Sequence, residues 1–138
     1  MKLIVNAFLG KLNWGKRACT VFALSAMTAV ALPAQTFTTL FSFDGTDGLY
    51  GTALVQATNG DLYGTTEGGG ANGQGTVFKI TANGTLTTLY NFCAQSGCTD
   101  GQYPNGLVQA TNGDFYGTTQ YGGANGAGTV FKITRGAR

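Results

Sequence analysis

Residues 54–80 read LVQATNGDLYGTTEGGGANGQGTVFKI, and residues 107–133 read LVQATNGDFYGTTQYGGANGAGTVFKI. The two stretches are offset by 53 residues and differ only at positions 62, 67, 68 and 74 of the first copy. Self-similarity with a period near 50 residues is typical of proteins built from stacked repeat units. The repeat therefore determines the architecture that we expect for the rest of the chain.

Each repeat reads as a series of short β-strands. Charged residues make up only 10% of the chain, Gly is abundant, and Thr, Tyr and Phe recur in short runs, as in all-β proteins. The predicted strands are 53–58, 61–66, 75–81 and 85–92 in the first repeat, and 106–111, 114–119 and 128–134 in the second. Four consecutive antiparallel strands form a meander sheet, which is the blade of a β-propeller.

The connections between the strands fit this fold. Asn-Gly steps at 59–60, 83–84 and 112–113 predict two-residue type I′ hairpins, in which both central residues have positive φ. A longer glycine-rich loop joins the second and third strands at 68–75 and again at 121–128. No long apolar stripe of helical period follows residue 34, so a helical repeat is excluded.

The second repeat lacks a fourth strand, whereas residues 36–43 (TFTTLFSF) resemble the fourth strand of the first repeat. We expect 36–43 to be a strand that completes the last blade and removes its open edge. Propellers have about four to eight blades, so two blades give an incomplete ring. The ring would need several copies of the chain or additional repeats. A compact two-sheet sandwich is the alternative.

The first 34 residues have the layout of a secretory signal peptide. Four basic residues precede an uncharged run from 18 to 32, which Pro33 and Ala34 follow. The run is shorter than the ~20 residues that cross a bilayer as a helix. We predict a signal-peptide helix over 1–34, with the membrane contacted only during export, and a secreted, periplasmic or cell-surface protein. An uncleaved N-terminal anchor is the alternative.

Loss of residues 1–34 would leave repeat 1 at 35–84 and repeat 2 at 85–138. It would also leave four basic and six acidic side chains, so the net charge would change from +2 to −2. No basic patch remains, which makes nucleic acid an unsuitable partner.

Two cysteines remain after the leader, Cys93 and Cys98, and they bound a four-residue loop. In an oxidising compartment such a pair predicts a local disulfide. Two free thiols are the alternative. The spacing does not match Cys-x-x-Cys, and the pair alone offers too few ligands for zinc.

The chain contains no histidine, which excludes His-based triads and most zinc or iron sites. Asp61 and Asp114 occupy equivalent positions after Asn-Gly and are candidate ligand contacts, although such residues usually hydrogen-bond within their own turn. Asp44 and Asp47 have the oxygen chemistry that Ca²⁺ prefers, but no EF-hand loop is present. We predict no catalytic residue, no cofactor and no metal site.

Tyr63, Tyr116 and Tyr121 are the aromatic candidates for a binding surface. A tyrosine ring offers an apolar face and a polar edge, which suit a sugar or a protein partner. Packing between sheets is the alternative for these tyrosines, since the residue is common in strands.

The motif D-L-Y-G-T-T-x-x-G-G-x-x-G-x-G-T-V-F-K-I, preceded by L-T-T-L-Y-x-F, covers nearly all of 36–134 in two copies. It resembles the GloVer tandem repeat of exported bacterial "choice-of-anchor" proteins. The resemblance implies a propeller-like fold, many copies of the unit and no settled biochemical activity. This chain has two copies and ends at Arg138 without an apolar tail. Both departures are consistent with a truncated reading frame.

The sequence thus favours a non-enzymatic surface or extracellular module that binds a glycan or a cell-surface protein. One alternative is a propeller-type glycan hydrolase or lyase that forms on assembly. Another is a fragment of a longer repeat protein with no activity of its own.

Overall fold

Seven strands form two antiparallel sheets in the computed structural model, which describes residues 34–134. The first sheet contains β1 (Leu49–Gln56), β2 (Leu62–Gly68), β3 (Thr76–Ile80) and β4 (Leu86–Asn91), in that spatial order. The second contains β5 (Gln102–Gln109), β6 (Phe115–Tyr121) and β7 (Val130–Ile133). A 3₁₀ turn, Ser96–Cys98, lies in the connection from β4 to β5. The all-β meander prediction is confirmed, and the open sheets are consistent with incomplete blades.

The predicted signal-peptide helix lies outside the described residues, of which only Ala34 belongs to the predicted leader. The sequence boundary that we placed between residues 84 and 85 differs from the sheet boundary, because β4 pairs with β3 and so belongs to the first sheet. Within residues 34–134, no helix has the length and apolar character needed to cross a membrane.

The prediction of a strand at 36–43 is wrong, since this segment has no strand hydrogen bonding. Its aromatic side chains pack on the first sheet instead. Phe43 lies edge-on to Phe78 with ring centroids 5.2 Å apart, and Phe41 lies edge-on to Phe43 at 5.5 Å. A strand forms only where a neighbouring strand offers unpaired backbone groups, and no strand within residues 34–134 pairs with this segment.

The Asn-Gly hairpins also differ from the predicted type I′ turns. Among the described non-glycine residues, positive φ occurs only at Tyr50, Cys93, Cys98 and Tyr103, so none of the turn asparagines adopts it. The Gly60 amide donates to the Ala57 carbonyl at 2.9 Å, and Gly60 itself has φ of 88°. This is a three-residue hairpin loop, in which a type I turn is followed by a left-handed residue. Only the glycine then needs positive φ.

The strand register gives each sheet two distinct faces, because directly paired residues share a face and neighbours alternate. We call the face with Val55, Tyr63 and Val77 the front face of the first sheet, and the opposite face with Leu54, Leu62 and Phe78 its back face. In the second sheet the corresponding sets are Val108, Tyr116 and Val130 in front and Leu107, Phe115 and Phe131 behind.

The core lies between the front face of the first sheet and the back face of the second. It includes Tyr63, Val77, Phe92, Leu107 and Phe115, each at most 6% exposed. The rings of Tyr63 and Phe115 stack with their centroids 4.1 Å apart. The two repeats therefore stack in the same orientation, front to back, as successive blades do.

A glycine on each back face allows an aromatic ring to lie flat against the strands. A Cβ on Gly64 would come within 2.4 Å of the Phe78 ring and 2.5 Å of the Ala53 carbonyl oxygen. A Cβ on Gly117 would likewise lie 2.4 Å from the Phe131 ring. Since carbon atoms do not approach this closely, the Tyr-Gly-Thr-Thr motif provides the ring's packing site in both repeats.

Candidate functional site

The two equivalent aspartates are engaged within their own hairpins. The Asp61 amide donates to Asn59 Oδ1 at 3.2 Å, and Asn59 Nδ2 donates to the Asp61 carboxylate at 3.0 Å. Lys79 Nζ lies 3.9 Å from the same carboxylate. Asp114 repeats the pattern, with Asn112 at 3.0 and 3.1 Å and Lys132 at 3.8 Å. Both carboxylates thus stabilise turns and pair with the lysine of the neighbouring strand.

The two equivalent tyrosines on the front faces have different surroundings. Tyr63 is 6% exposed and its ring is covered by Phe115, so it belongs to the packing between the sheets. Tyr116 is half-buried, and its hydroxyl lies 3.5 Å from Asn112 Nδ2. Tyr116, Asp114 and Lys132 therefore form a partly accessible group at the hairpin end of the second sheet.

Tyr121 lies at the other end of β6, where the glycine-rich loops emerge. It is 49% exposed, and its ring is edge-on to Tyr103 with centroids 6.0 Å apart. Five residues of strand separate Tyr121 from Tyr116, a distance of about 17 Å. The structure therefore divides the predicted site residues between the two ends of the sheets. We call the end with the glycine-rich loops the loop end.

Sequence reasoning missed two tyrosines at the loop end. Tyr50 and Tyr103 are the second residues of β1 and β5, and their φ values are 59° and 56°. Tyr50 is 70% exposed, and Tyr103 is half-buried. Positive φ is uncommon for a bulky side chain and often marks a functional position. The offset of 53 residues relates these tyrosines as it relates the repeats, but they lie outside the nearly identical stretches.

The glycine-rich loops have the same conformation in both repeats. The Gly73 amide donates to the Gly70 carbonyl at 3.1 Å, and the Gly126 amide donates to the Gly123 carbonyl at 3.2 Å. The loops also meet across the sheets, because the Tyr103 amide donates to the Gln74 carbonyl at 3.0 Å. The loop end therefore displays two copies of one exposed loop beside Tyr50, Tyr103 and Tyr121.

Two pairs of threonine hydroxyls bridge neighbouring strands, one pair in each repeat. Thr66 Oγ1 lies 2.8 Å from Thr76 Oγ1 and also accepts from the Thr76 amide at 3.1 Å. In the second repeat, Thr119 Oγ1 lies 2.9 Å from Thr129 Oγ1. Thr66 and Thr76 are fully buried. These hydroxyls bridge the strands and satisfy backbone groups.

The predicted disulfide between Cys93 and Cys98 is present. The Asp100 carboxylate holds the same loop, accepting from the Ala94 amide at 2.9 Å, the Gln95 amide at 3.2 Å and the Tyr90 hydroxyl at 2.8 Å. Burial alone would raise the pKa of Asp100, but these hydrogen bonds outweigh it and the pKa is lowered. Burial, together with the Asp100 charge, raises the pKa of Tyr90 to about 12.

The acidic turn at residues 44–47 is closed by its own hydrogen bonds. Thr46 donates to Asp44 Oδ1 from its hydroxyl at 2.6 Å and from its amide at 2.9 Å. The Thr46 hydroxyl, then its amide, hold the pKa of Asp44 below its usual 3.8. Within residues 34–134, no three His, Cys, Asp or Glu side chains lie together as a metal site would require.

A cleft lies on the back face of the first sheet. It has a volume of about 380 Å³ and is lined mainly by apolar side chains, including Leu40, Phe43, Leu54, Phe78 and Ile80. Such a lining offers few groups to orient a small polar ligand. The cleft is therefore better suited to apolar packing than to chemistry.

A protein-family model described as the Gloeobacter/Verrucomicrobia repeat matches residues 15–138. The match covers both sheets and the whole of the predicted leader's uncharged run, residues 18–32. No curated protein matches the chain.

Proposed function

The chain belongs to the Gloeobacter/Verrucomicrobia repeat family, and from this premise we propose that it is an exported, non-catalytic module that binds glycans at its loop end. The observation that carries the proposal is the duplicated tyrosine at the start of β1 and β5. Both copies have positive φ, which costs a non-glycine residue about 1–3 kcal/mol, and the Tyr50 ring faces solvent.

The surroundings of these rings suit a sugar. An exposed tyrosine can stack on the apolar face of a pyranose and hydrogen-bond through its hydroxyl. The exposed glycine-rich loops, 68–75 and 121–128, add backbone amide and carbonyl groups at the same end of the sheets. Duplication of the loop and the tyrosine would give two similar subsites on one chain, which favours a polymeric ligand with repeating units.

Two observations support the exported and non-catalytic parts of the proposal. The Cys93–Cys98 disulfide is of the kind that persists in oxidising compartments. The two repeat-equivalent aspartates, Asp61 and Asp114, are held in their turns, and the Thr66 and Thr76 hydroxyls bridge two strands.

The test is binding of the purified chain to an array of immobilised polysaccharides, followed by affinity measurement for the best glycan. Tyr50→Ala and Tyr121→Ala should each weaken binding roughly three- to tenfold, because an aromatic contact contributes about 0.5–1.5 kcal/mol. Thr87→Ala, an exposed change at the hairpin end, is the matched control and should bind as the unaltered chain does.

Failure to bind any glycan would overturn the glycan proposal and leave a surface protein as the ligand to seek. Equal affinity of the tyrosine variants would exclude the loop end. Release of new reducing ends from the bound glycan would contradict a non-catalytic role and favour a hydrolase.

A further inference from the structure

The packing between the two sheets specifies what each uncovered sheet face would accept. The buried interface joins a front face with Val55, Tyr63 and Val77 to a back face with Leu107, Phe115 and Phe131. The second sheet carries a second front face of nearly the same residues, Val108, Tyr116 and Val130. The first sheet carries a second back face with Leu54, Leu62 and Phe78. The other sheet covers neither of these two faces, although residues 36–43 lie on the back face and leave Phe78 only 4% exposed.

The uncovered front face exposes two β-branched side chains. Val130 is 79% exposed and Val108 is 62% exposed. Their equivalents in the first sheet are covered by the second sheet, with Val77 at 0% and Val55 half-buried. Exposed β-branched residues on a sheet face that is buried in the neighbouring repeat indicate a surface built to be covered.

The uncovered back face already holds a fragment of what should cover it. On the second sheet, Phe92 at the end of β4 lies edge-on to Phe131, with centroids 5.0 Å apart and an interplanar angle of 67°. On the first sheet, Phe43 lies edge-on to Phe78 at 5.2 Å and 68°. Residues 36–43 therefore take the position, relative to the first sheet, that the covering sheet's fourth strand takes relative to the second.

The preceding aromatic pair repeats as well. Tyr90 and Phe92 lie 5.3 Å apart at 79°, and Phe41 and Phe43 lie 5.5 Å apart at 74°. Beside this segment, the cleft of about 380 Å³ occupies the place where a covering sheet's other strands would pack. The segment thus makes the aromatic contacts of a fourth strand, although it has no strand pairing of its own.

The second sheet has three strands and lacks the fourth strand that the first sheet has. In the first sheet, Asn72 Nδ2 donates to the Phe92 carbonyl at 2.9 Å, and the Ala71 amide donates to Asn91 Oδ1 at 2.8 Å. The equivalent Asn125 has no hydrogen-bond partner within residues 34–134. Phe43 precedes Phe92 by 49 residues and matches it in the two similar segments. The Phe43 carbonyl is therefore the equivalent acceptor for Asn125.

We propose that copies of this chain associate head to tail, with residues 36–43 of one copy added as a strand to the second sheet of another. The front face of the second sheet of one copy packs on the back face of the first sheet of the next copy. Residues 36–43 of that next copy pair with β7 as its fourth strand. The contact joins unlike surfaces, so it closes into a ring or grows into a filament, and it adds a strand to an open edge. This proposal does not depend on glycan binding.

The pairing of β3 with β4 fixes the register. Val77, Phe78 and Lys79 pair with Tyr90, Thr88 and Thr87. The same register places Val130 beside Phe41, Phe131 beside Thr39 and Lys132 beside Thr38 of the next copy. The Lys132 and Thr38 side chains then share the front face, whereas Thr39 points to the back face.

The first experiment measures the mass of the purified full-length chain in solution by light scattering across a concentration series. Oligomers larger than the monomer should form and dissociate on dilution. Val130→Asp should shift the association constant at least tenfold toward the monomer, because a buried charge has no partner on the apolar back face. Thr87→Asp, an exposed change outside both docking faces, should associate normally. Circular dichroism establishes that both variants fold.

The second experiment tests the register with variants that each gain one cysteine and that are mixed under oxidising conditions. Lys132→Cys mixed with Thr38→Cys should give a covalent dimer, whereas Lys132→Cys mixed with Thr39→Cys should not. A chain that remains monomeric at every concentration would overturn the proposal. Covalent dimers of Lys132→Cys alone would also overturn it, because they would indicate two front faces in contact.

Discussion

Val77 and Val130 occupy the same place in two copies of Thr-Val-Phe-Lys-Ile, yet Val77 is fully buried and Val130 is 79% exposed. Their strands, registers and nearest neighbours in sequence agree. The difference arises because the second sheet covers the front face of the first, and nothing within residues 34–134 covers the front face of the second. In a stacked repeat, the neighbouring unit therefore decides which residues form the core.

Phe92 and Phe43 make the converse comparison. Both lie edge-on to the aromatic residue of the next sheet at nearly the same distance and angle. Phe92 follows β4 and is 1% exposed, whereas Phe43 follows a segment without strand pairing and is half-buried. The same ring contact is thus made once by a hydrogen-bonded strand and once by an unpaired segment, and its contribution to stability should differ accordingly.

The largest expected effect on the free energy of unfolding comes from truncating the Phe92 and Phe43 side chains to alanine. Phe92→Ala should lower the free energy of unfolding by about 3–5 kcal/mol, since it leaves a cavity in a closed core. Phe43→Ala should cost about 1–2 kcal/mol, because a half-buried ring loses less burial and solvent can fill its place. Urea unfolding of the dilute monomer measures both values. Equal losses would show that residues 36–43 are held as firmly as β4.

The second effect concerns the two valines. Val77→Ala should lower the free energy of unfolding by roughly 1.5–3 kcal/mol, the value of burying a valine side chain. Val130→Ala should change it by less than about 0.5 kcal/mol, as exposed substitutions usually do.

The effect of Val130→Ala on stability should depend on protein concentration. If copies associate head to tail, Val130→Ala becomes destabilising at high protein concentration, because association stabilises the folded state by mass action. Thermal unfolding at two widely separated concentrations measures this. A concentration-independent midpoint for both the unaltered chain and the variant would contradict coverage of Val130 by a second copy.

The sequence predicted the strands and their grouping because the alternation of side chains and the Asn-Gly and glycine loops are local signals. It failed at 36–43, although the residues resemble β4. A strand exists only where another strand offers unpaired backbone groups, and β4 has β3 beside it. It failed also at the Asn-Gly turns, because the Asn59 side chain bonds to Asp61 and favours a turn in which only Gly60 has positive φ.

The candidate site was harder to predict than the fold. Tyr63 and Tyr116 lie in nearly identical sequence, so no local signal distinguishes the buried ring from the accessible one. Tyr50 and Tyr103 are marked by their backbone conformation, which the sequence around them does not reveal. The hydrogen bonds of Asp61 and Asp114 do follow from a local pattern, since the Asn-x-Asp spacing itself provides their partners.

A last comparison sets Tyr90 against Phe41, which occupy equivalent positions beside Phe92 and Phe43. Only Tyr90 has a hydroxyl, and it donates to Asp100 at 2.8 Å. Asp100 in turn anchors the disulfide loop through two amides. This hydrogen bond joins the end of β4 to the Cys93–Cys98 loop, which is four residues longer than the corresponding segment after Phe43.

Tyr90→Phe should therefore give the smallest effect, a loss of about 1 kcal/mol near neutral pH, the typical net value of one hydrogen bond. The raised pKa of Tyr90, about 12, means that its contribution is present below pH 10 and is lost as pH rises toward 12. The lowered pKa of Asp100 means that its contribution is lost as pH falls below about 4.

The difference in unfolding free energy between the unaltered chain and Tyr90→Phe should then be level between about pH 5 and pH 9 and shrink on both sides. Urea unfolding across this range measures it, and the reverse change Phe41→Tyr is the matched control. Asp47 stands where Asp100 does, but no inserted loop donates its amides there, so Phe41→Tyr should gain little stability. A pH-independent difference for Tyr90→Phe would show that the hydroxyl contributes through packing and not through the Asp100 charge.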